Sequence, residues 1–166
     1  MNKYITIVSK LARIKTVIVI YLFFIIGYLA ASANYSFNTK WIVGFVAILA
    51  WYVNATAIND LADEEIDKIN LKNDNERPLL DNSKNRQAVR IVYYSTIILT
   101  VAICFLLGYG AVFLAIGMLV LNYIYSMPPI RISYRGIWAP LMLPIGYVFY
   151  PFMLGFLANG ANWQSL

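Results

Sequence analysis

The sequence contains no histidine and a single cysteine, and only 13% of its 166 residues are charged. Without an imidazole, a histidine general base, a Ser-His-Asp triad and a His-ligated zinc site are all excluded by inventory. Cys104 has no second cysteine to pair with, so no intrachain disulfide forms; inside an apolar run it reads as a small packed side chain. Acidic residues are confined as well: none occurs before Asp60 and none after Asp81.

What fills the chain instead is apolar. Hydrophobic residues make up 61% of it and the mean hydropathy is +0.65, far from the balance of a soluble domain. The chain is therefore expected to be an integral membrane protein, all-α, a polytopic transmembrane bundle forming a single membrane domain over residues 1–166. Five stretches are long enough to cross a bilayer at about 1.5 Å per residue: Thr16–Ala33, Trp41–Ile58, Ala88–Leu107, Ala111–Tyr125 and Ile137–Ala158. The third and fourth are separated only by Gly108, Tyr109 and Gly110 and should form a tight hairpin. Pro140, Pro144 and Pro151 in the fifth predict a kink.

Twelve of the thirteen Lys and Arg residues fall on one side of this arrangement, leaving Lys40 alone on the other. The positive-inside rule then puts the N-terminus and both long loops in the cytoplasm, with the protein in the cell (inner) membrane. The same rule accounts for the net charge of +5 without a nucleic-acid partner. The small-residue pattern ASAN at 31–34 resembles a signal-peptide cleavage site, but the apolar core before it is longer than the about 7 to 15 residues of a signal peptide, and more spans follow. A retained first helix is expected.

The insert 59–87 is the one long polar interruption and holds all eight acidic residues, five of them within Asp60–Asp67. If the second helix continues past Ile58, steps of about 100° per residue gather Asn59, Asp60, Asp63 and Asp67 onto one arc, with Glu64 beside it and Glu65 pointing away. Like charges spaced three and four apart repel, and repel more when partly desolvated. A bound cation reverses the sign. Carboxylates with an Asn amide are an oxygen-only set suited to Mg²⁺, which keeps waters and shares its sphere with substrate phosphates. Lys68, Lys72 and Arg77 follow and can hold phosphate charge. The alternative is a solvated acidic helix end.

These residues resemble the N-D-x-x-D-x-x-x-D motif of the UbiA superfamily of intramembrane prenyltransferases, with Asn59, Asp60, Asp63 and Asp67 on its four fixed positions. Arg77, Pro78 and Leu79 resemble that family's Arg-Pro-Leu loop, and YSMPPIRISYRG at 125–136 resembles its Tyr-Ser-x-Pro-Pro segment. The resemblance implies a helical bundle around a cavity, in which Mg²⁺ on the Asp-rich residues binds an isoprenyl diphosphate and a lipophilic acceptor takes the prenyl group from it. It implies Asn59, Asp60, Asp63 and Asp67 as metal ligands, the three aspartates as catalytic, Lys68, Lys72, Arg77 and Arg131 as diphosphate contacts, and Arg13, Tyr125 and Ser126 as pocket residues. Membrane lipid surrounds such a protein.

Departures from the family pattern are equally legible. Leu80, Asp81 and Asn82 stand where the family often has a small residue and glycine, and Ser133 stands near a common lysine position, with Arg131 and Arg135 as substitutes. The family has about nine helices and a second Asp-rich motif after the sixth, so the resemblance covers little more than the first half of that fold. Three readings follow: part of a longer product, a split enzyme completed by a second chain supplying the missing helices, or a shortened homologue with a non-catalytic or scaffold role. Because gripping a diphosphate from both sides needs ligands opposite the first acidic face, the 166-residue chain alone is expected to be weak or inactive in transfer. CDP-alcohol phosphotransferases also use intramembrane aspartates, but their D-G-x-x-A-R signature is not supplied by Leu61, Ala62 and Asp63.

Overall fold

A computed structural model of the chain describes residues 3–31, 39–71 and 77–160, and among these every regular element is helical. The helices are α1 (Lys3–Leu11), α2 (Ile14–Ala30), α3 (Lys40–Asn70), α4 (Pro78–Asp81), α5 (Arg86–Phe105), α6 (Tyr109–Ser126) and α7 (Trp138–Ala158). Four of them are individually long and apolar enough to cross a membrane, and α1 with α2 makes a fifth candidate bent by 62° at its break. The expected helical bundle is present with shifted boundaries, and it has the expected five spans if the bent α1–α2 pair counts as one. The first apolar stretch ends its helix at Ala30, with Ala31 as its cap, rather than at Ala33.

The largest difference concerns α3. At about 1.5 Å per residue its 31 residues reach about 46 Å, well past a hydrocarbon core of about 30 Å. Counted from Lys40, the spanning part closes near Ile58, and Asn59–Asn70 projects as a continuous helix. The Asp-rich insert is therefore helical in its first part, not a loop: α3 carries it to Asn70 before α4 and α5 take up its end.

α3 is also the hub, touching every other helix of the bundle. Its apolar faces split the interior into two clusters. Trp51 and Ile48 pack with Phe24 and Tyr28 of α2, Met118 of α6 and Tyr150 and Leu154 of α7. On the opposite side, Val53 and Ala57 pack with Ile7 and Leu11 of α1, Leu79 of α4 and Val89 and Val92 of α5. Large apolar side chains such as Ile98 and Phe113 face outward, 72% and 74% exposed, as lipid-facing positions do because lipid tails offer them the same apolar surroundings as a core.

The three prolines do not break α7. Ile145–Phe149 adopts π-helical geometry directly after Pro144, whose missing N–H has already removed one rung of the α-helical ladder. The expected kink is thus a π-bulge within one continuous span, and Gly146 within it faces Trp51.

Two glycines set how closely α2 and α7 approach. A Cβ on Gly27 would lie 2.7 Å from the carbonyl carbon of Phe152, and one on Gly155 would lie 2.8 Å from the amide nitrogen of Tyr28. Both obstacles are backbone, so nothing flexible can yield. Close approach through small residues is how membrane helices gain packing without a hydrophobic driving force. Gly27→Val and Gly155→Val should each cost about 1–3 kcal/mol through overpacking, read as a lower melting temperature in detergent. Gly117→Ala, where a Cβ meets open space, should be neutral or stabilising in the same measurement.

Candidate active site

Three distant segments meet where α3 leaves the spanning region. The projecting helix brings Asn59, Asp60, Asp63 and Asp67; the α1–α2 break brings Arg13; the segment before α4 brings Arg77; and the turn after α6 brings Arg131. Each motif aspartate meets an arginine. Arg13 Nη2 lies 2.5 Å from Asp60 Oδ1, Arg77 pairs with Asp67 and reaches Asp60 at 3.5 Å, and Arg131 Nη2 donates to Asp63 Oδ1 at 2.7 Å and to the carbonyl of Ala62 at 3.0 Å. Asn59 donates its amide to Asp63 Oδ2 at 2.8 Å, and the Tyr134 hydroxyl lies 3.2 Å from Asp63 Oδ1.

Among the described residues, only Arg13 and Arg131 of the non-glycine residues take positive φ, 37° and 43°. A left-handed conformation costs such residues roughly 1–2 kcal/mol, and it persists only where the surroundings over-determine it. Here the surroundings are the aspartates. The two strained backbones aim two guanidinium groups at carboxylates on one helix.

Asp60 is the deepest of the set, 2% exposed. Burial pushes its carboxyl up to about 6, against the pull of Arg13 and Arg77 and helped by neighbouring Asp67 and Asp63. Asp67 is raised too, by burial first, with Arg77 opposing. Among the described residues nothing donates a hydrogen bond to the buried Asp60 Oδ2, a lone pair left uncompensated at the centre of the cluster.

Beside this cluster lies a cavity of about 250 Å³. Arg13, Asn59 and Asp63 stand at its charged side, Tyr125, Ser126 and Ser133 at the end of α6 and in the turn beyond, and Trp51, Met118, Leu121, Met142 and Leu143 supply apolar wall. Residues from two separate motifs, together with Arg13, thus border one space. Among the described residues no three carboxylates close into a metal cage, since the arginines stand between them.

A family model described as the UbiA prenyltransferase family matches residues 20–166. The chain belongs to the UbiA prenyltransferase family. No curated protein and no solved structure matches it.

Not every expected UbiA site residue joins the cluster. Lys68 pairs with Glu64 at 2.9 Å and Glu65 at 3.0 Å, not with the motif aspartates; it sits one helical step from Asp67, on a neighbouring face. Lys72 lies outside the described residues. Glu64, which the helical arc placed beside the motif, is buried and held also by Arg86 at 2.5 Å, so it ties α3 to the start of α5. Sequence reasoning passed over Asn54 and Asn122, which hydrogen-bond each other at 3.2 Å inside the bundle. Their signal was available: an amide within an apolar span needs a partner or a task.

Asp63 anchors the turn after α6 through both Arg131 and Tyr134. Asp63→Ala should release that turn, so that the amides of Tyr134 and Arg135, which donate to Arg131 and Ile132 carbonyls at 3.1 and 2.9 Å, exchange faster with deuterium. Exchange in the spanning part of α3 should not change.

Proposed function

We propose that this UbiA-family protein transfers a prenyl group from an isoprenyl diphosphate to a lipophilic acceptor, with the diphosphate at the arginine–aspartate cluster and the reacting carbon in the adjoining cavity. The observation that carries this reading is the convergence of Arg13, Asn59, Asp63, Tyr125 and Ser126 on one apolar cavity with a charged rim. An oxygen-only set that includes a buried carboxylate oxygen, Asp60 Oδ2, with no hydrogen-bond partner among the described residues, fits Mg²⁺ chemically. Asp60, Asp63 and Asp67, with Asn59, would hold the ion, which when bound neutralises diphosphate charge.

The arginines do the rest of the electrostatic work. Arg13, Arg77 and Arg131 are fixed beside the phosphate position by their present partners, and a guanidinium fork offers paired donors to a phosphate as readily as to a carboxylate. Positive groups aimed where charge develops favour breakage of the allylic C–O bond, whose electron pair leaves with the diphosphate. The acceptor forms the new bond to the allylic carbon and loses a proton. Apolar wall from Trp51, Met118 and Leu143 keeps water from competing for that carbon. The family match lends no support to a second subunit, and the proposal uses none.

A structural reading is favoured by one observation: every motif aspartate is already paired with an arginine. The two readings part in a binding experiment. With the purified protein in detergent, Mg²⁺ and a prenyl diphosphate should each bind at least 10-fold more tightly in the presence of the other, because the substrate draws the arginines off the carboxylates and linkage is reciprocal. Asp60→Asn and Asp63→Asn should each weaken diphosphate binding by about 10²-fold, equivalent to about 2.7 kcal/mol, while the melting temperature stays within a few degrees. Unchanged affinity in both variants would leave only the structural reading.

A further inference from the structure

The hydrogen bonds around Asn122 fix which end of its amide is left for the cavity. Tyr93 on α5 offers a backbone carbonyl, an acceptor only, and Asn54 on α3 meets it at 3.1 Å, so Asn54 must present Nδ2 there. Thr96 agrees: its hydroxyl proton is given to the carbonyls of Val92 or Tyr93, at 2.8 and 2.9 Å, and its oxygen accepts from the same Asn54 Nδ2 at 3.4 Å. Asn54 Oδ1 therefore faces α6, and Asn122 must turn its own Nδ2 toward it, at 3.2 Å. The orientation of both amides follows from one carbonyl.

Asn122 Oδ1 is what remains. It has no hydrogen-bond partner among the described residues, and the residue lines the cavity, one helical turn deeper than Ser126. Trp51, Met118, Leu121 and Met142 line the same cavity; of these only Trp51 carries a donor, and its buried indole Nε1 makes no hydrogen bond among the described residues. A ligand in an apolar, membrane-embedded cavity meets one fixed hydrogen-bond acceptor on that wall. Such a group favours ligands that satisfy it and rejects those that leave it unpaired.

We propose that Asn122 is a specificity-determining residue, its Oδ1 accepting a hydrogen bond from an O–H or N–H group of the prenyl acceptor. The acceptor class is thereby narrowed to largely apolar molecules that carry such a donor, with ethers and bare hydrocarbons disfavoured. Naming the ligand as acceptor rests on the prenyl-transfer reading; the orientation of the amide does not.

The test uses two probes of nearly equal size, 2-naphthol and 2-methoxynaphthalene, titrated by fluorescence into the purified protein in detergent with Mg²⁺ and inorganic pyrophosphate. Naphthol should bind at least 10-fold more tightly than the ether. Asn122→Leu should weaken naphthol to the ether's level and leave the ether's affinity unchanged, which also shows that the cavity has kept its shape. Because that substitution strips Asn54 Oδ1 of its donor, Asn54→Leu combined with Asn122→Leu removes both amides and should give the same loss of preference. Equal affinity of the two probes, failure of both to bind, or a preference that survives both variants overturns the assignment. The binding assay contains no prenyl donor, so a separate assay with a prenyl diphosphate that shows no transfer, alongside an intact naphthol preference, would count against the proposed activity and not against the role of Asn122.

Discussion

Carboxylates that leave an apolar slab on one helical face repel one another and lose hydration together, and some set of cations must answer them. In this protein the answer comes from three arginines on three different segments. Arg13, Arg77 and Arg131 close onto Asp60, Asp67 and Asp63, and two of them hold backbone conformations that a residue with a Cβ avoids. The cluster is thus what ties the α1–α2 break, the segment before α4 and the turn after α6 to the projecting end of α3. Remove the negative charge from α3 and those connections lose their common anchor.

The same charges that hold the segments together are the ones a diphosphate would meet. An arginine paired with a carboxylate stays charged and aimed, so a phosphate entering the cluster finds donors already placed rather than ones that must be ordered. A metal ion taking over the carboxylates would free those donors without creating an unpaired charge. On the proposed reading, structural and ligand-binding roles do not compete, and the ion pairs would be a resting arrangement of the binding groups.

Deeper in the bundle, the uncharged polar residues follow a different logic. Asn54, Thr96 and Asn122 form a short chain from a backbone carbonyl of α5 through α3 to α6, and each bond dictates the next because an amide has one donating and one accepting end. On the proposed reading, the charged rim would recognise one kind of group and this fixed acceptor another. The cavity between them combines apolar wall from Trp51, Met118 and Leu121 with polar groups such as Tyr125 and Ser126, as small-molecule sites tend to do.

Hydropathy alone was enough for the all-helical class and for the approximate spans, because a bilayer of fixed thickness demands apolar runs of a minimum length. Asn59, Asp60, Asp63 and Asp67 were legible as one helical face because their spacing is local and α3 does continue past Ile58. Arg77 and Arg131 were visible as basic residues at the right end of the bundle, and Arg13, Tyr125 and Ser126 only through likeness to a family. What sequence could not supply was partnership. Whether Arg77 or Lys68 meets Asp67, that Glu64 serves α5 through Arg86, that Pro144 gives a π-bulge instead of a break, and which end of Asn122 is left over all depend on residues brought together from far along the chain. Spacing fixes angles within one helix; only packing between helices decides which donor faces which acceptor.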